Sequence, residues 1–121
     1  MDGIIHAPIS LQELCDAVTQ EIEGYVGFSP QANIYPVFDN VHRTYAVVIV
    51  PHWPRQLPAE IVVMARVSRD LIVIEVDTTD KLLVDALIVN QHIPRKKIIL
   101  AYAGEVLQDE QIGEDQSTIH G

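Results

Sequence analysis

Asp39, Glu75, Asp77 and Asp80 are the residues whose type and spacing offer this chain a chemistry. Alternate side chains of an extended strand share a face, so Glu75 and Asp77 are expected to point together. With Asp39 or Asp80 they would make an oxygen-rich seat for a hard divalent cation, as a metal-dependent nuclease requires. A restriction-type nuclease also wants a lysine beside such a pair. Lys81 stands nearby, but in an expected helix and not two residues along the strand. No fixed ligand motif is present, and solvent-facing acids at a strand end account for the same residues.

The other reactive side chains are dispersed. His6, His42, His52, His92 and His120 fall in loops and termini with no i,i+4 pair, the usual place of surface histidines rather than metal ligands. Cys15, the sole cysteine, lies on an apolar stripe with no adjacent base, which predicts a buried, inert thiol. No catalytic residue, metal or cofactor is expected from these patterns.

Recognition has better candidates. Trp53 and Arg55 share a proline-rich loop, and Trp and Arg are the types most enriched at binding hot spots. The alternative is a tryptophan that closes one end of the core. Arg95, Lys96 and Lys97 form the one basic cluster, read either as a solvated turn or as a contact for an acidic or phosphate group. A small-ligand sensor with a pocket beneath the Trp53 loop is a further reading.

The elements that must carry these residues follow from local pattern. Ser10 and Glu13 make a capping box. Leu11, Leu14, Cys15, Val18 and Ile22 then recur at helical spacing, which predicts a helix from about residue 10 to Gly24, where a missing side chain suits the C-terminal cap. Ile34 to Asp39 and Thr44 to Val50 flank a turn and predict a hairpin, with Pro36 marking the first strand as an edge. Ile61 to Val67 and Leu71 to Asp77 read as covered strands. Thr79 is expected to cap a second helix with Asp80 in its first turn, and Leu83, Val84, Leu87 and Ile88 as its buried stripe. After Pro94, Ile98 to Ala103 reads as a last strand. The order α-β-β-β-β-α-β predicts an α+β fold with a mostly antiparallel sheet of about five strands and two main helices.

The chain has 121 residues, 48% of them hydrophobic, which suits a single domain over 1–121. Its net charge of −9 is uneven. Residues 1–24 hold five acids and the segment from Glu105 five more, all unopposed, while residues 25–104 hold seven acids against eight Lys and Arg. An acidic extension is therefore expected from about 105. Net negative charge opposes the counterion release that drives non-specific DNA binding, so a basic protein partner is expected in place of DNA. With no long apolar run and one cysteine, the expected location is the cytoplasm, with no membrane partner. The exposed edge at Ile34 to Asp39 suggests a homodimer.

From Ile34 to Glu105 the order of motifs resembles the XisI family, the excision controlling factors of a DNA element removed in heterocyst-forming cyanobacteria. Phe38-Asp39 followed by Tyr45 resembles its early strand pair, and His52-Trp53-Pro54-Arg55 its tryptophan-bearing loop. Leu71 to Ile74 stands where the family has a Lys-Ile-Trp-Ile type strand, and Thr79-Asp80 matches its Thr-acid helix start. Ile93-Pro94-Arg95-Lys96-Lys97-Ile98-Ile99-Leu100-Ala101-Tyr102 is similar to its Pro-Lys-x-Asp-Ile-Val-Leu-Gly-Phe signature, with Lys97 in place of an acid and Val73 in place of the strand tryptophan. The resemblance implies a non-catalytic accessory factor in programmed DNA excision. It would act with a XisH-like nuclease-type protein and a recombinase complex that does the strand chemistry.

Overall fold

The computed structural model describes residues 9–27, 29–54 and 57–106. Helix α1 runs Leu11–Glu23 and starts as its capping box dictates. The Ser10 hydroxyl accepts from the Glu13 amide at 3.0 Å, and the Glu13 carboxylate accepts from the Ser10 amide at 2.9 Å. The helix stops at Gly24, whose φ of −67° is right-handed. Glycine serves there because a Cβ would lie 3.2 Å from the Glu21 carbonyl oxygen.

Five strands follow, β1 (Ala32–Asp39), β2 (Thr44–Pro51), β3 (Glu60–Ser68), β4 (Leu71–Asp77) and β5 (Ile98–Leu100), with α2 (Leu83–Gln91) before the last. They lie in sequence order in one sheet. β1 to β4 form an antiparallel meander, and β5 joins β4 in parallel after the α2 crossover. The α+β class, the strand count and the element order are as the sequence predicts. The last strand is shorter than expected, because Ala101–Ala103 coils into a 3₁₀ turn that ends at Gly104 with φ 92°.

Both helices pack on one face of the sheet. Leu14, Val18 and Ile22 of α1 and Leu83 and Leu87 of α2 meet Tyr45, Val47, Val63, Ala65, Ile72, Ile74 and Ile98 in a single buried cluster. Glu21 ties the helices together by accepting from Asn90 at 3.1 Å and Gln91 at 2.6 Å. Among the described residues no helix is long and apolar enough to cross a membrane.

Two local expectations are corrected. Ala65 pairs with Ile74 but Met64 pairs with Val76, so Glu75 has no opposite residue and forms a β-bulge. The bulge reverses the alternation: Asp77, opposite core residue Val63, turns to the helical side, and Glu75 and Asp77 do not share a face. Thr79 is also not the cap of α2, and Asp80 is not in its first turn. The helix begins later, at Leu83, with Leu82 at the N-cap position and Asp85 in the first turn. Lys81 likewise precedes the helix.

Candidate functional site

Three of the four acids singled out for chemistry, Asp77, Glu75 and Asp39, prove to be structural acceptors, while Asp80 lies exposed in the loop before α2. Asp77 is only 9% exposed. Its Oδ2 accepts from the Leu83 amide at 2.7 Å and its Oδ1 from the Thr79 amide at 2.9 Å and hydroxyl at 2.6 Å. The carboxylate thus caps α2 from six residues upstream. Thr79 supports it through the loop, since its one hydroxyl proton is best spent on the charged acceptor. Glu75 lies 2.6 Å from Arg66 Nε in an ion pair. Asp39 closes the β1–β2 turn, accepting from the Val41 amide at 3.0 Å and the His42 amide at 3.1 Å and pairing with His42 Nδ1 at 2.7 Å. These contacts with His42 hold its pKa below the usual carboxylate range.

The nuclease-like set is not brought together. Asp39 and β4 are separated by β2 and β3, a spacing of roughly 14 Å at the usual strand separation. Among the described residues no group of three or more His, Cys, Asp or Glu comes close enough to hold a metal ion.

The basic cluster is divided between two ion pairs and one exposed side chain. Pro94 opens a 3₁₀ turn at Arg95–Lys97. Arg95 donates to the Ile98 carbonyl at 2.7 Å and to Glu105 at 2.7 Å, while the other Glu105 oxygen accepts from the Leu100 amide at 2.9 Å. That pattern clamps the start and end of β5. The Leu100 amide, ahead of Arg95, depresses the Glu105 pKa. Lys97 pairs with Asp70 at 2.7 Å, and Lys96 is left exposed.

Trp53 lies on the surface. It is 78% exposed on the connection between β2 and β3, with Leu57 70% exposed on the same connection, so it does not close the core. Arg55 lies outside the described residues. Beneath this connection is a cavity of about 340 Å³ lined by Gln31, Ala32, Ile49, Pro51, His52, Pro54 and Leu57. Its floor comes from β1 and β2 and its rim from the following loop.

A larger groove, about 720 Å³, separates α1 from the β1–β2 hairpin. Leu11, Cys15, Phe38 and Tyr45 supply its apolar surface, and Gln12, Asp16, Thr19 and Glu23 its polar side. Phe38 meets Tyr45 edge-on at 5.8 Å. The Tyr45 hydroxyl donates to Asn40 at 3.2 Å, and burial, then the neighbouring Cys15 thiol, pushes its pKa up. Cys15 is buried, as its place on the stripe predicts. Tyr102 sits partly exposed in the turn after β5.

A family model described as XisI protein matches residues 9–110 of the chain. A comparison with curated proteins finds no match. The fold is similar to that of a XisI-like protein from Anabaena variabilis ATCC 29413, with a TM-score of 0.66 and 17% identity over 75% of this chain and 85% of that one. It is also similar to the fdxN element excision controlling factor XisI of the same organism, with a TM-score of 0.62 and 22% identity over 74% of this chain and 89% of the other. The family match spans both helices, all five strands and the Trp53 loop, and on that ground the chain belongs to the XisI family.

Proposed function

We propose that this chain is a non-catalytic excision-controlling factor that binds and positions a basic, DNA-handling protein of the XisH nuclease-like kind. In that role it serves, in the cytoplasm, a recombinase complex that removes a DNA element during heterocyst differentiation. The observation that carries the reading is the exposed apolar pair Trp53 and Leu57 on a chain of net charge −9. Tryptophan is among the residue types most enriched at binding hot spots, and the acids of α1, Glu13, Asp16 and Glu23, add long-range attraction for a basic surface. The engagement of Asp39, Glu75 and Asp77 in structural bonds supports the non-catalytic half of the proposal.

The test is a pull-down of purified XisH-type protein by the full chain at low and high salt. Retention that weakens with salt and drops by roughly thirtyfold in affinity for Trp53→Ala, about 2 kcal/mol, is the expected result. Absence of retention at low salt overturns the proposal.

A second reading rests on the cavity of about 340 Å³ beneath the Trp53 connection. Its size and part-apolar lining suit a small ligand at the lower end of the usual range. A metabolite screen read by the fluorescence of the sole tryptophan separates the two, because ligand quenching without partner retention favours the sensor.

A further inference from the structure

The face of the sheet turned away from the helices is apolar along cross-strand rows. Tyr35, Val48 and Ile61 lie opposite one another across β1, β2 and β3, and Val37, Ala46, Met64 and Val76 do so across β1 to β4. None of these seven belongs to the buried cluster beneath the helices. Tyr35 and Val37 are each 49% exposed and Ile61 is 45% exposed. An antiparallel sheet with one solvated face normally places polar residues there, so this face has the composition of a covered surface.

We propose that a second copy of this chain covers that face, the two sheets packing face to face about a twofold axis. Three arguments select this occupant. The first is charge: the face carries Arg66 paired with Glu75, and Asp39 paired with His42 at its corner. Among the described residues of this face an identical acidic chain therefore meets acids that are already paired. A basic partner is drawn instead to the acids of α1. The second is shape, since aligned packing of two twisted sheets suits an isologous contact in which the same rows meet on both copies.

The third is area. β1 and β2 have eight residues each, about 27 Å at the usual rise, and four strands span about 19 Å. The footprint is about 500 Å² per copy, or about 1,000 Å² in all, at the threshold of a specific interface. Edge pairing through β1 is the less favoured route, because Pro36 sits mid-strand without an amide proton to donate.

Sedimentation velocity on the full chain from about 1 µM to about 500 µM tests the assignment. The expected mass rises from 13.5 kDa toward twice that value with concentration. Val37→Glu and Ile61→Glu are expected to hold the monomer mass throughout with unchanged far-UV circular dichroism, and Trp53→Ala to dimerise as the parent does. Should Val37→Glu lose its dichroism signal, Tyr35→Glu takes its place.

A parent chain that stays at the monomer mass, or a folded Val37→Glu that still dimerises, overturns the proposal. A monomeric parent whose retention of XisH-type protein is lost in Val37→Glu gives the face to that partner and also overturns the second-copy assignment. Loss of the dimer leaves capture through Trp53 intact, so the failure of either proposal is read independently.

Discussion

At the residue scale the central fact is how Asp77 differs from its sequence appearance. Spacing groups it with Glu75 as a two-carboxylate motif, and only a single unpaired residue in β4 separates them onto opposite faces. A bulge depends on how the neighbouring strand pairs, which the local sequence does not encode, so this correction was illegible before the fold was known. The consequence is a buried carboxylate whose acceptors are filled by Thr79 and Leu83. Asp77→Ala is therefore expected to cost about 3 kcal/mol by orphaning the first amide of α2 and the Thr79 donors, read as a lower urea midpoint at unchanged m-value. Asp77→Asn retains one acceptor oxygen and is expected to fall between. Trp53→Ala is the opposite case, with a stability change within about 0.5 kcal/mol because so little of the side chain is buried.

At the element scale, α1, the hairpin and the two following strands were legible because their signals are local. A capping box, helical spacing of Leu14, Val18 and Ile22, and a turn at Asp39 each act within a few residues. The start of α2 was not legible, because Thr79 has the side chain of a cap while the acceptor that caps Leu83 comes from the strand before it. The Trp53 loop was legible as a recognition candidate by composition, and its exposure needed the fold. β5 depends on a non-local clamp as well. Arg95 holds the Ile98 carbonyl and Glu105, and Glu105 holds the Leu100 amide. Arg95→Ala is expected to raise Leu100 amide exchange by roughly an order of magnitude while core amides of β3 keep their protection.

The clamp also carries an acid dependence. The pKa of Glu105 is depressed in the fold, so its contribution is complete above the ordinary glutamate range and is lost as pH falls through the depressed folded value. The Leu100 protection factor, corrected for intrinsic exchange, is expected to decline below a pH of about 4. A protection factor flat down to global acid unfolding removes Glu105 from the clamp.

At the scale of the whole molecule, three tyrosines convert packing into a response to alkali. Tyr25 joins the end of α1 to the loop before α2 by donating to the Lys81 carbonyl. Burial, and then the charges of Asp77, Glu21 and Asp85, push its pKa up to about 12 even though a hydrogen bond to Thr79 pulls the other way. Burial raises Tyr45 under the hairpin and Tyr102 after β5 in the same direction, the latter with Asp77, Asp85 and Glu105 adding to it. A phenol with a raised folded pKa favours the fold while it is neutral. That contribution is whole below the unfolded value of about 10. It shrinks as the unfolded chain ionises first, and for Tyr25 it is gone above about 12. Because the three residues sit at different junctions of the two layers, stability is expected to fall steadily through that window in a single cooperative transition. Urea midpoints measured at half-unit steps through it should fall less steeply for Tyr25→Phe than for the parent. The substitution lowers the neutral-pH midpoint by removing the Lys81 bond, and only the change of slope reports the titration. An unchanged slope would mean that the phenol of Tyr25 ionises in the folded chain as it does in the unfolded one, and the link it makes between α1 and the α2 loop would then tolerate a phenolate.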